Sequence, residues 1–374
     1  MIKILQIVPT LGYGGVAQFL LNYYKQMDKN EIRFDFITHG SVEAFHQELI
    51  DGGSQIFYFK SIGKEGLKYY LKQLKDVFEN NTYDIVHTHD GHLVGLTAFF
   101  CRRYFKGKII CHAHTTLCVN PKHRYFMPVF RWLARHNSDK LLGCGVLACR
   151  YIFGKGSQFK VIHNAVDVDR FQQVHKEDAL ALREQLGIPK NAFIIGHVGL
   201  FSPPKNHFYL IRIFEKIYHL HKNAHLVLVG GGELQEDVKQ ECKKMGIEKR
   251  IHFVGKQSNI PLYMYIFNVF ALPSRWEGLP VVGVEAQAAG LHCVMAEAID
   301  HDVDAGVGMV DFLPITDEAL DKWQTTLMKG YASPCRKDIE IAMKATGYEI
   351  KGSVDALAVS YTHLRAHETD SYLV

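Results

Sequence analysis

The sequence has 374 residues, of which 47% are hydrophobic and 22% charged, and its formal net charge is +4. This length and composition allow two hydrophobic cores, which favours two domains and excludes an intrinsically disordered chain. So small a net charge excludes a protein that binds nucleic acid over its whole surface, and no nucleic-acid partner is expected.

The cysteines and the N-terminus indicate a cytoplasmic protein. None of the eight cysteines forms a Cys-x-x-Cys pair or a zinc-binding spacing, as is typical of a reducing compartment. The opening stretch "MIKILQIVPTLGYGG" is too short in its apolar part for a signal peptide, and nowhere do eighteen apolar residues follow one another. Any contact with a membrane is therefore expected to be peripheral, at its inner face.

In the first half of the chain, short apolar segments alternate with amphipathic helical ones. The segments that read as buried strands are "IKILQIV", "RFDFITH", "YDIVHTH", "KIICHAH" and "FKVIHNA", and "EGLKYYLKQLKDVFEN" reads as a helix between them. This alternation predicts a Rossmann-like domain with a parallel sheet over residues 1–170.

The same alternation restarts after a charged stretch that ends near Ile188. It predicts a second Rossmann-like domain over residues 171–345, so the fold class is α/β with two parallel-sheet domains. Ligands of such sheets bind beyond the carboxyl ends of the strands. One crevice is therefore expected to be lined by "VGLFSPPKN", "VGGGE", "VGKQS" and "PSRWEG".

The segment "RWEGLPVVGVE" places two glutamates around a predicted helix start at Pro280. The first backbone N–H groups of a helix attract anions, whereas Glu277 and Glu285 are better suited to accept hydrogen bonds from hydroxyl groups. A sugar nucleotide carries hydroxyl groups on both sides of its phosphates. The alternative is that the acidic residues only complement the helix dipole.

Several of these motifs together resemble those of family 4 glycosyltransferases, especially the capsule and exopolysaccharide branch. The resemblance spans residues 1–358 and is carried by "GGVAQFLLNYY", "HVGLFSPPKNH", "LVLVGGGEL", "HFVGKQSNIP" and "LPSRWEGLPVVGVEAQAAG". It implies the GT-B fold, in which two Rossmann-like domains face a central cleft. It also implies transfer of a sugar from a nucleotide diphosphate donor to an acceptor hydroxyl, with retention of configuration and without an obligatory metal or cofactor.

The resemblance assigns roles in the second domain. Glu285 is expected to accept from the ribose hydroxyls and Glu277 to face the donor sugar. The backbone N–H groups of Gly278 and Leu279 are expected to bind the donor, and Lys205 to meet the diphosphate, where a fixed cation stabilises the leaving group.

In the first domain, Gly14 and Gly15 follow the first strand and would let the backbone approach the donor phosphate or the acceptor. His114, at the end of another strand, matches the family histidine that lies beside the donor sugar. His112 points to the same face of that strand and stays an alternative. There is no Gly-x-Gly-x-x-Gly motif, which argues against a nicotinamide dehydrogenase.

One position departs from the family pattern, because Leu200 stands where the family commonly has an arginine. A catalytically impaired sugar-nucleotide binding protein is therefore an alternative function, and a sugar-nucleotide epimerase of the same fold is another. Two Asp-Val-Asp strings, Asp167 to Asp169 and Asp302 to Asp304, could suggest a metal site. Such strings arise easily by chance and the family does not need a metal, so none is expected.

The acceptor is expected to be a glycan or a lipid-linked glycan. The donor is expected to carry UDP as its nucleotide, because UDP is common in the branch that the chain resembles. Residues 122–136 form a basic amphipathic segment that could lie on an anionic membrane. The alternative is that its apolar side packs on its own domain. The pattern predicts that this apolar side holds Tyr125, Phe126, Val129, Phe130 and Leu133, opposite Arg124, Arg131 and Arg135.

The C-terminus requires separate treatment, because "VSYTHLRAHET" resembles a translated sequencing adapter. Residues 359–374 are therefore interpreted as an artefact, with an ordinary polar tail as the alternative. Residues 346–358 would be a truncated helix that returns to the first domain, ending near Ala358. A native ending in place of residues 359–374 would then be expected to raise thermal stability.

Overall fold

The computed structural model describes residues 1–12, 14–40, 46–60, 62–118 and 120–369. The chain divides into two compact units, of which the first comprises residues 1–165 and 350–374 and the second comprises residues 166–349. The sequence-based boundaries lie at residues 170 and 345, close to these positions.

The first unit is built on a seven-stranded parallel sheet with the order β3-β2-β1-β4-β5-β6-β7. Its central strands are buried on both faces, as the nearly continuous apolar segments predict, whereas the edge strands β3 and β7 are partly exposed. The strands of this sheet are β1 (Ile2–Val8), β2 (Ile32–Thr38), β3 (Ile56–Tyr58), β4 (Ile85–Thr88), β5 (Lys108–Ala113), β6 (Lys140–Gly143) and β7 (Lys160–Val161).

Nine helices belong to the described part of this unit, eight of them between its strands and one at the C-terminus. They are α1 (Gly15–Gln26), α2 (His46–Asp51), α3 (Ile62–Glu65), α4 (Leu67–Asn80), α5 (Val94–Arg102), α6 (Pro121–Tyr125), α7 (Met127–Asn137), α8 (Val146–Phe153) and α17 (Ile350–Thr369).

The second unit has a six-stranded parallel sheet with the order β10-β9-β8-β11-β12-β13. Its strands are β8 (Phe193–Val198), β9 (Ala224–Val229), β10 (Ile251–Gly255), β11 (Val269–Leu272), β12 (His292–Ala296) and β13 (Val310–Leu313). Its helices are α9 (Val168–Gln172), α10 (Lys176–Gln185), α11 (His207–Leu220), α12 (Gln235–Lys244), α13 (Ile260–Ile266), α14 (Val281–Ala288), α15 (Leu320–Met328) and α16 (Arg336–Ala345).

Both sheets share one doubly wound order, in which the chain first adds strands on one side and then on the other. The direction reverses between β1 and β4 in the first unit and between β8 and β11 in the second. Loops that leave two such neighbouring strands diverge, and the gap between them is where ligands of these folds bind. The predicted α/β class with two Rossmann-like parallel sheets is confirmed.

Three strands, β3, β6 and β13, were not predicted. They are three or four residues long, and each lies at or next to an edge of its sheet. Such short segments lack the apolar length that marks a central strand. Their pairing depends on the neighbouring strand already being in place.

The C-terminal helix corrects the expectation that the last helix ends near Ala358. It continues to Thr369, and Tyr361 is fully buried in the core of the first unit. The hydroxyl group of Tyr361 lies 2.8 Å from Nδ1 of His87, and its ring packs edge-on against Phe34 at 6.1 Å. Residues 359–361 therefore contribute to the core of this unit, whatever their origin.

Replacing Tyr361 with alanine is expected to lower the free energy of unfolding by about 3 to 5 kcal/mol, because a large buried aromatic ring is lost. The exposed Val359, on the same helix, provides the control, and Val359→Ala should change stability little. Urea unfolding measures both. Equal stability of the two variants would contradict the burial of Tyr361.

Candidate functional site

Two loops of the second unit meet at the point where its sheet reverses direction. The loop after β8 carries Lys205 in a short 3₁₀ turn, and the loop after β11 carries Glu277. The ammonium group of Lys205 lies 2.5 Å from Oε1 of Glu277, and the hydroxyl group of Ser274 donates to the same oxygen at 2.9 Å. The two predicted site residues are thus brought together as an ion pair.

Two hydrogen bonds hold these two loops against each other. Asn206 adopts the left-handed conformation, with φ of 57°, and its side-chain amide donates to the carbonyl oxygen of Pro273 at 3.1 Å. The backbone N–H of Arg275 donates to the carbonyl oxygen of Pro204 at 2.7 Å. Because both contacts flank the ion pair, Lys205 and Glu277 start from fixed backbone positions.

A glycine makes room for the lysine side chain. A Cβ atom at Gly199 would lie 3.1 Å from Cδ and 3.2 Å from Cε of Lys205, closer than side chains normally pack. The small residue at the exit of β8 therefore allows the lysine stem to lie across the loop and reach Glu277.

The helix that follows Glu277 begins one residue later than the predicted start at Pro280. Its first residue is Val281, and no side chain caps its first turn. Gly278 and Leu279 form the approach to this N-terminus. A helix N-terminus without a side-chain cap offers backbone donors and a positive dipole end to an anion.

Glu285 lies in the second turn of the same helix and is only 8% exposed. Burial raises the pKa of its carboxyl group from 4.5 to about 7, and the charge of Arg170 opposes this shift. Among the described residues, no side chain or backbone group forms a hydrogen bond with this carboxylate. A nearly buried acceptor with no partner is suited to a ligand that brings hydroxyl donors.

In the first unit, the two predicted glycines lie at the start of α1, where Gly14 precedes the helix and Gly15 is its first residue. Gly14 has an extended backbone, with φ of 178°, and a Cβ atom at either position would have no heavy atom within 4 Å. Packing inside the unit therefore gives no reason for glycine at these positions.

The predicted histidine lies directly after β5 and is the member of its cluster that reaches the surface. His114 is partly exposed, whereas His112 is completely buried, and their rings stack at 4.1 Å. Burial lowers the pKa of His114 to about 3, so its ring is neutral at pH 7. The exposure favours His114 over His112 as a ligand contact.

Sequence reasoning missed the partner of this histidine. Nδ1 of His89, just after β4, lies 2.9 Å from Nε2 of His114. The signal was present, because a His-x-His motif ends two of the predicted strands, at residues 87–89 and 112–114. Only the pairing of β4 with β5 brings the two motifs together.

Further basic side chains lie near the position where an arginine was expected. Leu200 is 40% exposed in the loop after β8. Arg275 is exposed in the loop after β11, where its Nε donates to Oδ1 of Asn206 at 3.3 Å. Lys256, after β10, packs beside Gly231, whose Cβ position lies 3.4 Å from its Cγ. These two cations were not predicted.

Two groups of side chains in the described part of the first unit could hold a metal ion. They are His87, His89 and His112, and His92, Cys118 and His123. Neither includes an aspartate of the two Asp-Val-Asp strings. Asp167 instead caps α9, accepting from the backbone N–H of Arg170 at 3.4 Å.

The basic amphipathic segment forms helices α6 and α7, and its exposed side differs from the predicted one. Leu133 is buried and Phe130 half-buried, because both face the unit, and Trp132 is exposed instead. Arg131 also turns inward and donates to the carbonyl oxygen of Tyr151 at 2.8 Å. The exposed apolar side chains, here called the aromatic patch, are Tyr125, Phe126, Val129 and Trp132.

Both halves of the chain are similar to known glycosyltransferases. The sequence profile of group 1 glycosyl transferases matches residues 178–300, and that of glycosyltransferase family 4 matches residues 13–170. A putative glycosyltransferase of Bacillus subtilis, EpsF, is 31% identical over 373 residues and covers 96% of each chain. The chain belongs to glycosyltransferase family 4. The family favours a transferase over the epimerase alternative.

More distant relatives agree. An Escherichia coli protein named UDP-Gal:alpha-D-GlcNAc-diphosphoundecaprenol alpha-1,3-galactosyltransferase is 30% identical, over 60% of this chain and 61% of its own. The structure of Anabaena HepE with UDP and glucose is similar with a TM-score of 0.70 at 20% identity, covering 100% of this chain and 99% of that one. The glycosyltransferase WaaG gives a TM-score of 0.72 at 16% identity, covering 96% and 99%. The fold is GT-B.

Among the described residues, no helix is long and apolar enough to cross a bilayer.

The raised pKa of Glu285 predicts a pH-dependent stability. The folded protein keeps this proton up to about pH 7, whereas the unfolded chain releases it near pH 4.5, so stability falls as the pH rises between these values. Glu285→Gln removes the titration. Without ligand, the variant should match the wild type below pH 4.5 and exceed its melting temperature above pH 7. A difference that does not depend on pH would contradict the burial of this carboxylate.

Proposed function

We propose that the protein is a retaining glycosyltransferase that transfers a sugar from a UDP-sugar to a hydroxyl group of a glycan or lipid-linked acceptor in polysaccharide biosynthesis. The observation that carries the proposal is Glu285, a nearly buried carboxylate without a hydrogen-bond partner among the described residues. It lies on the helix whose uncapped N-terminus follows the Lys205–Glu277 ion pair.

In this proposal, each end of the donor meets different chemistry. The ribose hydroxyls donate to Glu285, and the diphosphate is bound by Lys205 and by the backbone N–H groups of Gly278 and Leu279. Glu277 faces the donor sugar. Before the donor binds, Glu277 holds the ammonium group of Lys205 in position, so the cation does not need to be ordered when the phosphate arrives.

The first unit contributes His114 beside the donor sugar, and Gly14 and Gly15 at a close approach of the backbone to the donor or the acceptor. The open space around both glycines supports this role, since no packing inside the unit requires their small size. His114 is neutral at pH 7 because burial lowers its pKa, so it serves as a hydrogen-bonding group rather than a cation.

The proposed reaction proceeds without attack by an enzyme carboxylate and without an obligatory metal. The bond between the anomeric carbon and the diphosphate breaks, and the acceptor oxygen approaches from the same face. The departing phosphate takes the acceptor proton, while Lys205 and the helix N-terminus stabilise its developing negative charge. The anomeric configuration is thereby retained.

UDP as the nucleotide of the donor is supported by what related proteins bind. The E. coli relative is named for UDP-Gal, and HepE has been solved with UDP and with UDP-glucose. The same E. coli name includes a diphosphoundecaprenol-linked acceptor, which supports a lipid-linked glycan here.

Titration with UDP, GDP and UDP-sugars without added metal tests the proposal. UDP is expected to raise the melting temperature of the wild type, and Glu285→Ala is expected to remove most of this shift because the ribose loses its acceptor. The partly exposed Glu241 of α12 offers a matched control, and Glu241→Ala should bind like the wild type. Stabilisation of Glu285→Ala equal to that of the wild type would refute the assigned donor site.

The alternative of a catalytically impaired protein can be tested at Leu200, where the family commonly has an arginine. An arginine there has room to reach a phosphate because the side chain is exposed. If phosphate binding is deficient, Leu200→Arg should tighten UDP binding by about tenfold, the effect of one charge-assisted hydrogen bond. A full activity in the wild type that Leu200→Arg leaves unchanged would instead favour Arg275 or Lys256 as the second cation.

We also propose that the protein works at the cytoplasmic face of a membrane, with the aromatic patch of α6 and α7 as its contact. Lys122, Arg124 and Arg135 flank the patch and are exposed, which matches an anionic surface. Tyr125 is 81% exposed, which is unusual for a large aromatic ring.

Sedimentation with vesicles tests this contact. Wild-type protein is expected to bind vesicles that contain anionic lipid more strongly than neutral ones, and Trp132→Ser should reduce the bound fraction several-fold. Leu220 of α11 is 67% exposed and provides the control, since Leu220→Ser should bind as the wild type does. Equal binding by both variants would refute the patch as the contact.

A further inference from the structure

The first unit contains a continuous line of polar side chains of which the proposed chemistry uses only one end. Gln6 on β1 lies opposite His87 in the β1–β4 register. His89 follows on the same face of β4, and His112 and His114 lie on the same face of β5 and just beyond its end. Apart from His114, these side chains are fully buried.

Gln6 lies at the centre of this line, with one arm on each side of its amide. In the first arm, Oε1 of Gln6 lies 2.8 Å from Nε2 of His89, and Nδ1 of His89 lies 2.9 Å from Nε2 of His114. In the second arm, Nε2 of Gln6 donates to the hydroxyl group of Tyr361 at 3.4 Å. That hydroxyl lies 2.8 Å from Nδ1 of His87, whose Nε2 lies 3.1 Å from Nδ1 of His112.

All four imidazole rings are neutral at pH 7. Burial lowers the pKa of His114 to about 3 and the pKa values of His87, His89 and His112 well below their usual range. A neutral ring has one N–H donor and one lone pair. Each hydrogen bond therefore determines the tautomer of the next ring.

With the amide of Gln6 in this orientation, the first arm has a single solution. The amide oxygen of Gln6 only accepts, so His89 carries its proton on Nε2 and has its lone pair on Nδ1. His114 must then carry its proton on Nε2. Its lone pair is on Nδ1, which has no hydrogen-bond partner among the described residues.

The second arm is not fixed by Gln6 alone, because the hydroxyl oxygen of Tyr361 can accept from the amide of Gln6 and from Nδ1 of His87. If the hydroxyl group instead donates to Nδ1 of His87, then His87 donates from Nε2 to Nδ1 of His112, and the proton of His112 is on Nε2. Within the described chain, that buried atom has no partner.

We propose that Gln6 and His89 are positioning residues that hold His114 in the Nε2–H tautomer and so present the lone pair of Nδ1 to a hydroxyl group of the donor sugar. The proposal rests on the proposed function, because it assumes that His114 faces the sugar. The amide of Gln6 sets the direction, since the reverse amide orientation would invert the tautomers of both His89 and His114.

Phe19 of α1 packs against the histidine rings of this line. Its ring lies 5.1 Å from that of His112 and 5.2 Å from that of His114. Because α1 begins at Gly15, the helix that carries the predicted glycines also covers the histidine rings. Phe19 thus packs against the ring of His114 on the side that faces the unit.

The first experiment is nitrogen-15 NMR of the full chain with labelled histidine, with signals assigned through single His→Gln variants. The expected result is a protonated Nε2 and an unprotonated Nδ1 in both His89 and His114. A protonated Nδ1 in His114, or rapid exchange between both tautomers, would overturn the proposal. This spectrum needs no donor and no variant of Gln6.

The second experiment replaces Gln6 with methionine, which has a similar shape but no amide. His114 is expected to become a mixture of tautomers, and the dissociation constant for UDP-sugar is expected to rise about threefold to tenfold, the effect of one neutral hydrogen bond. Binding of UDP alone should not change, because it lacks the sugar. Unchanged UDP-sugar binding would overturn the positioning role.

Tyr361→Phe provides the matched control because it interrupts only the second arm. The tautomers of His89 and His114 and the affinity for UDP-sugar are expected to stay as in the wild type, whereas a change in either would overturn the separation of the arms. If the wild type binds UDP but no UDP-sugar, the presentation to a sugar fails. If it binds neither, the proposed function fails, and the tautomers are still decided by the spectrum.

Discussion

Parallel strand pairing is the constraint on which the rest of this structure depends. The central strands of both sheets are buried on both faces, so polar side chains with chemical roles are concentrated where the strands end. The doubly wound order then separates the loops after β8 and β11, and these are the loops that carry Lys205 and Glu277. A different strand order would leave the same residues far apart.

Burial gives the candidate groups their chemical character. The carboxyl group of Glu285 and the ring of His114 both have pKa values shifted toward the neutral form, because a charge inside the protein loses its hydration. Glu277 instead forms an ion pair with Lys205. The second unit therefore combines one compensated charge with one uncompensated acceptor, an arrangement suited to a ligand with phosphates and hydroxyl groups.

Much of the candidate site could be predicted because its signals are local. Pro280 indicates a helix start whatever surrounds it, and the spacing from Glu277 to Glu285 then places one carboxylate before the helix and the other in its second turn. The exposed side of α7 was harder to predict. Trp132 and Leu133 are neighbours in the chain, and only the packing against the first unit decides which of them is buried.

The sequence by itself determined the two-domain α/β class, the central strands, the glutamate helix and the membership of family 4, because periodicity, turn residues and motif spacing are properties of short segments. Only the tertiary structure decided that Lys205 pairs with Glu277, that His89 contacts His114, and that Tyr361 enters the core. These contacts join residues between 25 and 274 positions apart. Such distances along the chain are closed by strand order and helix packing, which no local pattern encodes.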